Sequence, residues 1–600
     1  MGSVINVLRP RRRPGWPVIV ALTLVLTGST ATAWGATRVL SSRDHLQQAA
    51  TLIRQLHSQL RQVDPAAAQT LAQLQGETRA ARADGNDPIW QAGTHLPAAG
   101  DDLAAIRTVT TAMDDLARHG LPAFVATAGL LGTGAILPTS DRADLASLKH
   151  AAPRLAEADT AVRRVAESVD AIAVDGLTAP VRTAVVGLQA ELHRAARTAG
   201  LAAKTAQLLP SMLGVDGPRT HLVLLQNLAE VRATGGMPGA FIVLRADRGK
   251  ITISDQGTAS GLGEFAAPVL ALAPAERDLY TDKPAIFPAD INLTPHFPTT
   301  GALAREMYRR RSGVTVDGVF ATDPVALSYV LAALGPVPVP GGEPLTAATA
   351  VSLLLSRIYA DGVSPKRQDD YFAAAARATF QALVSRPLRP STLLGALAKA
   401  AGERRLLVWS TRPDENAILA DTVLAGVLPA SDGVDPTVGV FLNDGSGSKL
   451  GYYLTHRVEL AVTPACRSDG RRELSLRVTL GSTAPESGLS PSVLGLGLAG
   501  HPYTLRTVIA LYSPTGGSIG TLQLDRVERP FGSGRDRRRA VGVVTVDLQP
   551  GSERTLDVTM LTGVPRGGYG GTVTPRLRTT PGVAPWPKLV VSGTGCSTTR

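Results

Sequence analysis

The spacing of apolar residues changes its period twice along this chain, which excludes any single repeating architecture. Leu46, Ala49, Ile53, Leu56, Leu60 and Val63 fall at alternating steps of three and four. That is a helix with a narrow apolar seam. The same spacing returns at Leu155, Ala158, Val162, Val165, Val169 and Ile172, and the Ala-rich stretch from Asp101 to Arg118 is also helix-like. Residues 42–208 are therefore expected to form a helical stalk or bundle, broken into hairpins at Gly85-Asn86-Asp87-Pro88 and Gly132-Thr133-Gly134. After Leu209-Pro210 the apolar runs become short, beginning with the buried-strand pattern His221-Leu222-Val223-Leu224-Leu225. Phe241 to Leu244 and Ile251 to Ser254 flank Asp247-Arg248-Gly249-Lys250, a hairpin turn. Helix-like segments then alternate with strands, which predicts a three-layer α/β domain over 210–430. From Leu454 the alternation is strict: Leu454, His456, Val458, Leu460 and Val462, then Leu474 to Leu480, then Leu556, Val558 and Met560. Period two with frequent turns predicts an immunoglobulin-like β-sandwich over 438–600.

A chain of 600 residues is too long for one core, and its 44% hydrophobic and 18% charged residues suit folded domains rather than disorder. Aromatics at 4% leave the cores to Ala, Leu and Val and argue against a base-stacking platform. The net charge of +11 is concentrated at Arg9, Arg11, Arg12 and Arg13 and at Arg535, Arg537, Arg538 and Arg539. Neither cluster is a long basic helix, so nucleic acid is not the expected partner.

Trp16 to Ala36 contains no charged residue and is about as long as the ~20 residues that span a bilayer. The preceding arginines orient it with residues 1–15 as a basic cytoplasmic tail, 16–36 as the transmembrane helix and the rest outside the cell membrane. The rival reading is a cleaved signal peptide, for which Thr30-Ala31-Thr32-Ala33 offers small residues. Either way the two cysteines, Cys466 and Cys596, lie in a compartment that permits a disulfide, and the sequence leaves their pairing open.

Motifs for conventional catalysis are missing: there is no HExxH, Walker loop or GxSxG elbow, and no histidine pair has metal-ligand spacing. Gly495-Leu496-Gly497-Leu498-Ala499-Gly500 is a literal GxGxxG, but a strand follows it, so it reads as a loop. The unusual constellation is Gln226, Asn227, Glu230, Arg232, Gly235 and Gly236, directly after the first apolar strand. A polar cluster at a strand's end sits where α/β folds bind ligands, with glycines that admit an anion and an arginine that forks two oxygens. The structural alternative pairs Glu230 with Arg232 and spends Gln226 and Asn227 on a tight turn. Asp317 precedes a short strand, and Asp323-Pro324 suits a helix cap. Arg357, Asp361, Lys366, Arg367 and Gln368 lie just ahead of an amphipathic helix and read either as ligand contacts or as a solvated face.

Leu224-Leu225-Gln226-Asn227 through Glu230, Arg232 and Gly235-Gly236, then His296-Phe297-Pro298, Asp317-Gly318-Val319 and Leu334-Gly335-Pro336-Val337, carry a resemblance over about 215–385. The segment resembles the bacterial envelope family catalogued as domain of unknown function four thousand and twelve, which implies a membrane-anchored surface protein. In that family's pattern an acidic residue precedes the Phe-Pro pair, where this chain has His296. More weakly, the order of elements is similar to the LytR-CpsA-Psr glycopolymer transferases, which draw on a polyprenyl-pyrophosphate carrier. That similarity implies Arg232, Arg357 and Arg367 on a pyrophosphate, and Asp317 or Glu230 on a divalent cation such as magnesium. The Pro-Arg-Asp expected after the second hairpin strand is absent, and Ser254-Asp255 stands there. The expectation is a single-pass cell-envelope protein that handles glycopolymers or lipid-linked glycans. The competing class is a non-catalytic surface scaffold or binding protein, and no catalytic residue is assigned.

Overall fold

The computed structural model describes residues 33–594 apart from 63, 98, 133–144, 360–362, 387, 389 and 565–571. Most of the expected transmembrane segment, and Cys596 with any disulfide it makes, lie outside the described residues. Among the described residues no helix is long and apolar enough to cross a membrane. The chain divides into two compact units, up to Asp216 and from Gly217.

The first unit is helical: α1 (Ala33–Gln62), α2 (Ala67–Gly85), α3 (Gly100–Asp115), α4 (Pro122–Gly132), α5 (Leu145–Asp170) and α6 (Ala179–Met212). Both expected seams are buried along most of their length, Leu46, Ala49 and Leu56 on α1 and Leu155, Ala158, Val162, Val165 and Val169 on α5. The α5 seam meets Ile106, Val109 and Met113 of α3 and Val181, Val185, Leu188 and Leu192 of α6 in one core. Gly85 ends α2 as its sequence context predicts, whereas Pro210 lies within the last turn of α6 instead of ending it.

The second unit begins with a mixed five-stranded sheet in the order β3-β2-β1-β4-β5. Its strands are β1 (Arg219–Arg232), β2 (Gly235–Asp247), β3 (Lys250–Thr258), β4 (Gly318–Thr322) and β5 (Leu407–Ser410). β1 runs parallel to β4, with Leu225 opposite Thr322, and antiparallel to β2. The predicted Arg248-Gly249 turn joins β2 to β3, with φ of 48° and 84° at its two central residues. Leu222, Leu224, Phe241, Val243 and Val319 cover one face against α7 (Phe297–Ser312), which contributes Leu303, Ala304, Met307 and Tyr308. Helices α8 (Pro324–Leu334), α9 (Ala350–Leu355), α10 (Pro365–Ser385), α11 (Pro390–Gly402) and α12 (Pro413–Ala420) complete this part. Leu331, Leu334, Leu353, Leu354, Tyr371 and Ala375 give them a core of their own.

Two further sheets face each other across the largest core. One has the order β11-β10-β14-β8-β7-β17 and the other β12-β13-β9-β6-β16. The main strands are β6 (Thr437–Asp444), β7 (Leu454–Cys466), β8 (Arg472–Ser482), β9 (Leu505–Tyr512), β10 (Ser518–Leu524), β13 (Arg539–Leu548) and β14 (Glu553–Leu561). The smaller ones are β11 (Val527–Glu528), β12 (Gly532–Asp536), β16 (Arg576–Thr579) and β17 (Lys588–Val591). The period-two residues supply this core: Val458, Leu460, Leu474, Leu476, Val478, Leu556, Val558 and Met560 from one sheet meet Val438, Val440, Ile509, Leu511 and Val546 from the other. Each fully buried Val, Leu or Met contributes about 1.5–3 kcal/mol, so the interface between the sheets dominates stability here. The glycine-rich 495–500 segment is a loop, and its Leu496 and Leu498 stand exposed.

Candidate functional site

The polar constellation does not follow the first strand. It lies inside it, because β1 continues to Arg232 and turns back at Ala233-Thr234 so that Arg232 faces Gly235. The register slips at Gln226 and again between Asn227 and Val231. Beyond those bulges the hairpin leans on the sandwich: Val231 joins its core, and Ala233 packs with Phe441, Ala510, Tyr512 and Val541. The Ala233 N–H donates to Asn443 Oδ1 at 2.9 Å and the Thr580 hydroxyl donates to the Ala233 carbonyl at 3.1 Å.

Each polar residue of the tip is engaged within the protein. Gln226 Nε2 donates to the Thr234 hydroxyl at 2.9 Å. Asn292 Nδ2 donates to that hydroxyl and to the Gly236 carbonyl, both at 2.8 Å. Asn227 receives the Ala229 N–H on Oδ1 and donates from Nδ2 to the buried Tyr359 hydroxyl at 2.9 Å. Burial, and then Glu230 nearby, raises the Tyr359 pKa far above its ordinary value, so the phenol stays protonated. The expected Glu230–Arg232 pair is not formed. Glu230 pairs with Lys449 at 2.9 Å, and Arg232 donates to Asp290 at 2.9 Å and to the Val231 carbonyl at 3.0 Å. Gly235 and Gly236 serve strand contact instead of anion approach. Gly235 holds φ at 142°, and a side chain on Gly236 would sit 2.1 Å from the Asn227 carbonyl oxygen.

The remaining predicted residues are elsewhere. Asp317 stands at the opposite end of the sheet, accepting the Thr220 N–H at 2.8 Å. The ten residues of strand from Thr220 to Glu230 put on the order of 30 Å between the two carboxylates. Arg357 pairs with Glu343 at the surface, 2.9 Å. Arg367 is exposed in the first turn of α10, and Gln368 is buried beside it, its Nε2 donating to the Val363 carbonyl. Asp361 lies outside the described residues. The donors suggested for a divalent cation thus do not fit one: they do not converge, and each is already spent on a lysine or an N–H. No group of three metal-ligating side chains occurs among the described residues.

Two polar joints were not legible in the sequence. The first explains His296. Its Nδ1 caps α7 by accepting the Thr299 N–H at 3.3 Å, and Arg537 Nη2 lies 3.0 Å from the same nitrogen. Burial, then the Arg537 charge, lowers its pKa to about 3. The neutral ring is therefore free to accept at the start of α7. Arg537 also binds Glu276 at 2.8 Å and Asp536 at 2.6 Å, and Tyr280 and Tyr512 share a hydrogen bond of 2.8 Å beside them. The second joint is Asp323, which caps α8 through the Ala326 N–H at 2.8 Å and is paired with Arg405 at 3.0 Å, both side chains almost fully buried. The Asp-Pro step foretold the cap, but nothing near Arg405 foretold its partner.

Residues 216–359 match the model of the family described as Protein of unknown function (DUF4012), so the resemblance holds over this segment, which ends at the Tyr359 that Asn227 contacts. No curated protein matches the chain.

Proposed function

We propose that this chain is a membrane-anchored, outward-facing envelope protein that acts as a non-catalytic scaffold or binding protein for envelope glycopolymers. In this reading a helical part (42–208) carries a three-layer α/β domain (210–430) and an immunoglobulin-like sandwich (438–600). The observation that carries the non-catalytic choice is that Gln226, Asn227, Glu230 and Arg232 each bond to partners within the protein, which leaves the hairpin tip as a joint between sheets. The transferase alternative needs those groups turned toward a polyprenyl-pyrophosphate substrate.

Two variants separate the readings. Arg232→Ala removes the partner of Asp290 and lowers unfolding free energy by about 1–3 kcal/mol. Arg367→Ala, at an exposed position, melts like the parent. Both are titrated with a polyprenyl pyrophosphate with and without magnesium. Tight, magnesium-dependent binding that is lost in Arg232→Ala without loss of stability would overturn the scaffold reading.

The anchor rests on the uncharged run after four arginines. A reporter fused after Arg600 is expected to be active outside the membrane and silent inside it. Cytoplasmic activity would sink the topology, and a mature N-terminus near Ala33 would replace the anchor by a cleaved signal.

A further inference from the structure

Strand β17 is an edge of its sheet, and its apolar side chains are exposed, Leu589 by 55% and Val591 by 45%. An apolar edge strand of four residues frays and invites pairing with other chains unless something fastens it. Its neighbour in the sheet is β7, to which it runs parallel, with Lys588 opposite Val458 and Val591 opposite Ala461. That register is an offset of 130 residues. Cys466 is the last residue of β7, and Cys596 follows it by the same 130 residues in the sequence.

The backbone stays beside β7 after the last pair of that ladder. Ser592 and Thr574 are bonded through their hydroxyls at 2.8 Å. β18 (Gly593–Thr594) then pairs with β15 (Thr572–Val573), whose Val573 is buried in the sandwich core. Gly593 also lies against β7 itself: a Cβ there would stand 2.7 Å from Val462 Cγ1 and 3.3 Å from Arg472 Nη2. Arg472 is the residue that faces Cys466 across β7 and β8. From the contact of Val462 with Gly593, Cys466 is four residues further along its segment and Cys596 three along its own. β7 bulges within those four, since Val462 faces Leu474 and Cys466 faces Arg472, which brings the two paths closer to equal length. Neighbouring strands lie about 4.8 Å apart and a disulfide needs Cα atoms about 4.4–6.8 Å apart, so matched positions on adjacent strands meet the requirement.

We infer that Cys466 and Cys596 form a disulfide that fastens the β17 edge to β7. The two thiols lose two protons and two electrons to a disulfide-bearing thiol oxidant, which leaves as its dithiol, so that one S–S bond forms as another breaks. The outward-facing topology proposed above supplies a compartment where such oxidants act. The pairing itself rests on the strand register and not on that topology.

The test is thiol counting on the full chain in detergent, incubated in a buffer of oxidised and reduced glutathione and then unfolded, with intact mass and peptide mapping. The parent is expected to show no free thiol, to migrate as a single chain on a non-reducing gel and to yield a peptide that joins the two cysteines. Cys466→Ser and Cys596→Ser are each expected to melt about 5–15 °C below the oxidised parent. The reduced parent and Cys466→Ser/Cys596→Ser should melt with the single variants, because all of them lack the same bond. Cysteines that stay free or glutathione-capped, or that join only between chains, overturn the pairing. A double variant that melts like the oxidised parent overturns the fastening role. A bond that forms in glutathione although both thiols are trapped free in cells supports the pairing and counts against the outward-facing topology.

Discussion

Arg539→Met loses about 3–5 kcal/mol of unfolding free energy, because it removes one partner of a buried pair and strands the other. The Arg539 side chain is 1% exposed. Its Nη1 donates to the Thr437 and Ser513 carbonyls at 2.8 and 2.9 Å, and its Nη2 to the Pro429 carbonyl at 2.8 Å and to Asp432 at 2.7 Å. Those four acceptors include the connection that leads into β6 and the end of β9, so the guanidinium fastens the sandwich to the chain entering it. Methionine fills much of the volume but supplies no donor, which leaves a buried carboxylate and three carbonyls underbonded. Urea denaturation measures the loss. The companion Arg539→Met/Asp432→Asn removes the orphaned charge and should recover part of it. A single variant within about 0.5 kcal/mol of the parent would mean that the arginine is not buried as described.

The same arginine shows where sequence reading succeeds and where it stops. Arg535, Arg537, Arg538 and Arg539 read as one basic loop, because local sequence carries charge but not direction. In the structure Arg537 and Arg538 occupy the two central positions of a tight turn, with φ of 44° and 67°, and the strand pairing of Asp536 with Arg539 turns Arg539 inward. Only long-range packing decides that. Periodicity, by contrast, is a local record of burial, so the α1 and α5 seams and the inward faces of β7, β8 and β14 were legible. The element Pro324 to Leu334 was legible too, since Asp323 and Pro324 mark its start. The hairpin tip misled for a physical reason. Gln, Asn, Glu and Arg after an apolar run suit a ligand-binding loop and a buried polar joint equally, and the tip's partners Asn292, Tyr359, Asn443 and Lys449 come from 56 to more than 200 residues away.

Arg405→Met is expected to be as damaging as the loss of Arg539, with a loss that depends on pH through the carboxyl it leaves behind. Burial holds the Asp323 carboxyl above its ordinary value, while Arg405 and the Ala326 N–H pull it back down. A carboxyl whose folded pKa lies above its unfolded one stabilises the fold when protonated. That contribution is full below the unfolded value and is lost as pH rises through the folded one. Removing Arg405 takes away the largest downward pull, so the Asp323 pKa climbs further and the charged form becomes the costly one. At neutral pH the variant should lose about 3–5 kcal/mol, as for other buried pairs with one partner removed. The gap to the parent should then close as pH falls toward the ordinary value of 3.8, where Asp323 takes up a proton and needs no cation. In Arg405→Met/Asp323→Asn the amide oxygen still caps α8 without a charge, so much of the stability should return and its pH dependence should flatten. Urea melts of the parent and both variants across the acid range decide the matter. A loss in Arg405→Met that stays constant with pH would assign it to the severed Gly582 and Glu403 contacts, and the buried charge of Asp323 would no longer explain why this arginine is needed.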